Sequence, residues 1–169
     1  MVRSFLIVLL TIIVYFVNAQ ELKWIYKIGG VNADNGNGLA IDSNQNIYYI
    51  TNIMATVSVA PMLTYTSRGD EDILIRKSTS LGILQWVRQI GGIGQDLAYD
   101  VAVDNDKNVF VVGTFKDTLY MGNDVLLAGS PDRVQSFVLK LSAAGTMLWV
   151  KKLESNISVT AIIYNISTN

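Results

Sequence analysis

Cysteine and histidine are both absent from the 169 residues. Without cysteine there is no disulfide, no thiolate metal site and no thiol nucleophile. Without histidine there is no imidazole ligand and no serine–histidine relay, and the commonest general base is missing. Charged residues make up only 16% of the chain and the formal net charge is −1. No basic stripe offers itself to nucleic acid, and no block of like charge forms an interaction tail. This composition predicts no cofactor, no metal centre and no catalytic residue. Half of the chain is hydrophobic, enough for the core of one ordinary domain behind a short leader.

The leader is the one long hydrophobic run. Arg3 precedes the apolar stretch Phe5–Val17, and Val17-Asn18-Ala19 closes it with short residues. That layout is a secretory signal peptide over residues 1–19, cut after Ala19. The rival reading is a membrane anchor, but the run falls short of the about 20 residues a span needs. Secretion makes Asn156 and Asn165 N-glycosylation acceptors, each heading an Asn-Ile-Ser triplet. Chance occurrence of so short a motif is the competing account.

Residues 20–169 repeat. "WIYKIGG" at Trp24–Gly30 returns as "WVRQIGG" at Trp86–Gly92. The same offset of 62 lays Gly29 on Gly91, Gly30 on Gly92, Asp42 on Asp104 and Asn46 on Asn108. One more residue of offset lays Lys77 on Lys140, Gly82 on Gly145 and Trp86 on Trp149. A period of this length marks a repeat architecture. Within the second period, residues 98–104, 109–115, 136–142 and 147–153 read as strands, from alternation or from β-branched and aromatic enrichment. Residues 38–42, 46–51, 72–78 and 83–90 give the same four in the first. Residues 116–135 read as a longer connection. Helical spacing is nowhere sustained after the leader.

The expected fold is therefore all-β: four-stranded antiparallel meanders in tandem, the blades of an incomplete β-propeller or open arc. Blade 1 covers about 38–90 and blade 2 about 98–153, with a partial third blade over 154–169. Each tryptophan falls on the last strand of its blade, where a large flat ring fills the wedge to a neighbouring sheet, so Trp86 is expected to be buried. The Gly-Gly after it is expected to let the backbone bend toward the next blade.

At these positions the chain resembles the SBBP family of β-propeller repeats over roughly residues 22–153. Gly91-Gly92, Val101-Ala102-Val103-Asp104, Asn108-Val109-Phe110-Val111-Val112-Gly113, Phe137-Val138-Leu139-Lys140-Leu141, Gly145 and Leu148-Trp149 carry the likeness. The first period departs from it: Thr51-Asn52 stands where the glycine is expected, and Ile73-Leu74-Ile75 replaces the aromatic. The resemblance implies a propeller fold and an extracytoplasmic or surface setting; it names no ligand.

Other polar clusters are weighed against plain turns. Asp104-x-Asp106-x-Asn108 and Asp42-x-Asn44-x-Asn46 open like calcium loops, but Val109 and Ile47 stand where a central glycine belongs, and the closing glutamate is absent. A tight turn explains them better. Residues 34–38 form an Asp/Asn/Gly cluster, and Arg68-Gly69-Asp70 an integrin-type triplet; both read as ordinary loops. Asp70, Glu71 and Asp72 do not by adjacency give the separation that glycoside chemistry needs.

The functional expectation is a secreted or cell-surface repeat module that binds a protein or glycan ligand or serves as a scaffold, without catalysis. One alternative is a carbohydrate-active enzyme using carboxylates alone, with Asp100, Asp104 and Asp106 its first candidates. Another is a fragment of a longer propeller with no separate function. Open blade faces are expected to promote self-association. The leader has its own test. N-terminal mass spectrometry of the secreted protein should find Gln20 first, and a retained Met1 in a membrane pellet would select the anchor.

Overall fold

The computed structural model describes residues 24–153 apart from 26 and 33. The leader, the partial third blade and both sequons lie outside the described residues. Every regular element described is a β-strand, and every strand pairing is antiparallel.

The first meander consists of β2 (Asn35–Ile41), β3 (Ile47–Ile53), β6 (Asp72–Ser78) and β7 (Leu84–Gly91). The second consists of β8 (Leu97–Val103), β9 (Val109–Lys116), β12 (Val134–Leu141) and β13 (Met147–Leu153). These are the two expected four-stranded meanders, in the order in which they occur in the chain. Irregularities recur with them. A bulge between Gly36 and Gly38 on β2 returns between Ala98 and Asp100 on β8. A second, after Lys77, returns after Lys140. A bulge twists the strand locally, so the same period sets the twist of both sheets.

The connection after the second strand holds what sequence reading missed. It is a hairpin in both periods. In the first it is β4 (Thr56–Ala60) with β5 (Leu63–Thr66), and in the second β10 (Leu119–Met121) with β11 (Asp124–Leu127). Each hairpin joins the sheet that precedes its own meander. β4 pairs with β1 (Gly29–Gly30), and β10 pairs with the end of β7. The registers Gly29↔Ser58 and Gly91↔Tyr120 are one period apart. The result is a three-stranded sheet β1-β4-β5, a six-stranded sheet β11-β10-β7-β6-β3-β2 and a four-stranded sheet β13-β12-β9-β8. None of them closes into a ring.

The Gly-Gly pair thereby acquires another cause than a bend. Gly30, Gly91 and Gly92 have no left-handed backbone angle. A methyl group on Gly30 would overlap the Thr56 carbonyl, and one on Gly92 would overlap its counterpart, the Thr118 carbonyl. The glycines are there so that the incoming hairpin can lie against the sheet edge.

Two cores result. Tyr48, Ile50, Ile73, Ile75 and Ile90 of the first meander meet Val101, Val109, Val111, Phe115, Phe137 and Leu139 of the second, with Leu119 of the hairpin closing the gap. On the other face of the first meander, Ile53, Leu74 and Val87 pack against Val57 and Val59 of β4. β6 lies between these layers, which is why Asp72–Arg76 are all buried. The buried Arg76 ties hairpin to sheet: Nη1 donates to the Val59 carbonyl at 3.1 Å and Nε to Ser78 Oγ at 3.1 Å.

The departure of the first period from the family pattern is a change of volume in one cross-strand pair. Phe137 is the register partner of Gly113, and a methyl there would stand 2.8 Å from the Phe137 ring. In the first meander the corresponding partners are Leu74 and Thr51. The smaller Leu74 accompanies a filled glycine position.

Gly92→Ala should cost about 1–3 kcal/mol, since the obstacle is main chain and cannot rotate away. Gly36→Ala, with nothing within 4 Å of the added carbon, should stay within about 0.5 kcal/mol. Urea denaturation of the two variants measures the difference.

Candidate functional site

The recurring residues gather at the seams where one unit meets the next. Trp86 lies at the rim of the seam and is half-buried. The expectation of full burial is corrected accordingly: the ring reaches out of the wedge and over the β12–β13 turn. Its Nε1 donates to the Ala143 carbonyl at 3.1 Å. A Cβ on Gly145 would come within 2.9 Å of the indole. Gly145 also turns with φ +75°, a conformation that L side chains rarely adopt. Trp24 repeats the joint one period earlier, donating to the Ser80 carbonyl at 2.8 Å above Gly82. Tyr48 meets Trp86 edge-on at 6.1 Å, as Phe110 meets Trp149 at 6.0 Å.

Asp42 and Asp104 close the first turn of each meander. Asp42 accepts the Asn44 and Asn46 amides at 2.9 Å each, the Asn46 side chain at 2.8 Å and the Tyr48 hydroxyl at 3.0 Å. Asp104 accepts the Asn108 amide at 2.8 Å and side chain at 2.9 Å, and pairs with Lys140 at 3.2 Å. Burial by itself would raise both carboxyls. The hydrogen bonds outweigh it, led by Asn46 and Asn108 respectively, and hold both below the ordinary carboxylate value. Gln45 and Lys107 take the left-handed position of the two turns. In these apparent calcium motifs the Asp42 and Asp104 carboxylate oxygens are engaged in closing a turn.

A second recurring carboxylate escaped the sequence reading. Asp34 accepts the Gly30 amide at 2.8 Å and the Met54 amide at 3.2 Å. Asp96, one period on, accepts the Gly92 amide at 2.6 Å and the Lys116 amide at 3.3 Å. Each staples the linker leaving one sheet to the end of the next sheet's second strand. The period itself was the signal, since Asp34 and Asp96 share the offset of 62. Asn52 is another joint without sequence warning. Its side chain takes both main-chain groups of Ala98, at 2.9 and 3.3 Å, and Asn37 adds a bond of 2.8 Å to the Ala98 carbonyl.

Beside the second seam opens a cleft of about 580 Å³ lined by Met54, Thr66, Ser67, Asp70, Glu71 and Gln95. Asp70 is exposed, Glu71 is bonded to Gln95 at 2.6 Å, and Asp72 is fully buried. The three adjacent acids thus enter three different environments. Arg68 is drawn away from Asp70: its guanidinium stacks on Tyr120 and bonds the Gly122 carbonyl. Of the candidates on β8 and its turn, Asp106 is exposed, Asp104 holds the turn, and Asp100 accepts the Val101 amide at 2.9 Å.

Trp86→Ala should therefore cost about 2–4 kcal/mol, through lost packing and lost hydrogen bond together. Trp86→Phe, which keeps a ring and loses the donor, should cost roughly 1 kcal/mol, and Asp70→Ala within about 0.5 kcal/mol. Chemical denaturation ranks the three, and equal effects would refute the joint.

Residues 85–114 match the family model of SBBP, a beta-propeller repeat. The chain is also 29% identical over 176 residues to an uncharacterized WD repeat-containing protein of Acanthamoeba polyphaga mimivirus. That match covers 88% of this chain and 12% of the relative, so the chain spans only a small part of the relative's length. The matched window runs from β7 through the linker into β9 and contains Trp86, Gly91, Gly92, Asp96, Asp104 and Asn108. Spanning the second seam of an all-β tandem array, this stretch marks the chain as carrying an SBBP-type β-propeller repeat.

Proposed function

We propose that this propeller repeat module works outside the cytoplasm as a binding or scaffolding element and performs no catalysis. The observation that carries this reading is the use to which the recurring residues are put. Trp24, Trp86, Asp34, Asp96, Asp42 and Asp104 all hold turns or seams together. Residues that repeat to build a frame leave recognition to what does not repeat. The cleft beside the second seam is such a place. Apart from Thr66 at the end of β5, its lining comes from loops that differ between the periods, and its hydroxyl, amide and carboxylate groups suit the polar surface of a protein or a glycan.

A longer array is the setting we propose, because a blade has two faces to cover and repeat stacks need about three units or more. Blade faces not covered within one chain would then be met by another copy. Light scattering coupled to size exclusion should show concentration-dependent association of the secreted protein. A monodisperse, cooperatively melting monomer would contradict that expectation.

Glycan and protein arrays, run beside a screen for hydrolase and lyase turnover, test binding against catalysis. Binding without turnover supports the module. Turnover abolished by replacing Asp100, Asp104 or Asp106 would establish a carboxylate-only enzyme instead.

A further inference from the structure

Two carboxylates are enclosed in the second seam. Asp72 and Asp96 are both 0% exposed. Asp96 receives the Gly92 and Lys116 amides and sends its own N–H to the Glu71 carbonyl at 2.9 Å. Asp72 lies against Gly91, where a methyl group would overlap its carboxylate. It accepts Gln89 Nε2 at 2.7 Å and the Arg68 amide at 3.2 Å. Consecutive residues 91 and 92 thus touch one acid each, so both acids lie in the same enclosed seam, close enough for the Asp72 charge to act on Asp96. Further charge surrounds them: Glu71 next in the chain, Asp117 just beyond β9, and Arg68, whose guanidinium is turned toward Tyr120. Lys116 contributes its backbone amide. The ion pair Lys140–Asp104 lies away from this cluster.

The first seam provides a comparison. Asp34 receives the same two amides there, but it is only half-buried. The enclosed pair of acids belongs to the second seam.

We propose that Asp72 and Asp96 form a pH-operated latch, closed while the pair holds a proton and released when both are ionised, so that the linker Gly92–Asp96 lifts beside the cleft while the shared core stays packed. Two like charges in a water-poor site cannot both be accommodated cheaply. Burial pushes the Asp96 carboxyl up to about 7, with the Asp72 and Asp117 charges adding to it and the Gly92 and Lys116 amides opposing. Burial raises Asp72 as well, against Gln89 and Arg68. The sign follows. In the unfolded chain an aspartate loses its proton near pH 3.9, whereas the closed seam still holds one. Stability from this pair is complete below that value and is lost as the pH rises toward about 7. The latch is closed in mild acid and released above neutrality. It stands whether or not the cleft binds a ligand.

Carboxyl-carbon NMR of the full chain, with amide exchange measured at pH 5 and pH 8, tests the latch. Asp96 should titrate near pH 7. After correction for intrinsic exchange, protection of the Gly92 and Lys116 amides should fall at least about tenfold between the two pH values, the equivalent of one pKa unit. The Gly30 and Met54 amides of the first seam should keep theirs. Asp72→Asn should move the Asp96 titration to lower pH and abolish most of the fall. An Asp96 that titrates in the ordinary carboxylate range, or protection that is the same at both pH values, overturns the proposal. Should the variant fail to fold, the titration and exchange of the unaltered chain decide by themselves.

Discussion

Tyr48, Ile50, Ile73 and Ile75 on one meander lie against Val101, Val111, Phe137 and Leu139 on the other. A four-stranded sheet has two faces, and each must be removed from water by something outside the sheet. Here the next meander covers one face, and an inserted hairpin helps to cover the other. That requirement accounts for β6, whose first five residues are buried although strands covered on one face alternate. It also accounts for the hairpins. β10–β11 widens the first sheet at its edge and brings Leu119 into the shared core.

Face-to-face packing of this kind is non-directional, and two twisted sheets can slide over each other at small cost. The polar joints remove that freedom. An indole seated on a glycine turn, an aspartate accepting one amide from the linker and one from the end of β9, and an asparagine holding both main-chain groups of Ala98 each have one geometry. They sit at different points along the seam, so together they set both position and angle. The family window from residue 85 to 114 follows the same logic. Its pattern is centred on the seam, because that is where a residue type is dictated by two sheets at once.

The two periods also show how far such a pattern bends. Thr51 and Leu74 replace the glycine and phenylalanine that face each other in the second meander, and the strand register is kept. A smallest-with-largest pair is replaced by two residues of middling size, which redistributes the volume across the pair. The enclosed acids are a larger divergence. Asp34 and Asp96 have one structural duty, yet among the described residues Asp96 alone of the two shares its seam with a second buried carboxylate. Equivalent positions in a repeat can therefore sit in different surroundings.

Chain order, strand number in each meander, the turns at Asp42 and Asp104 and, among the described residues, the absence of helix were legible from period and alternation. Those are local properties, governed by which way successive side chains point and which residues tolerate a turn. The alternation of Thr56–Ala60, with Val57 and Val59 inward, was legible too, though these residues fall between the strands expected for the first blade. What no local pattern holds is the partner of a strand. That β10 joins β7 instead of its own meander, that Gly92 exists to admit the Thr118 carbonyl, and that Asp72 and Asp96 lie together are consequences of distant segments meeting. Period and residue type determined the blades of this protein. Only the tertiary structure decided how they are joined, because a joint is made by two surfaces and the sequence writes each of them separately.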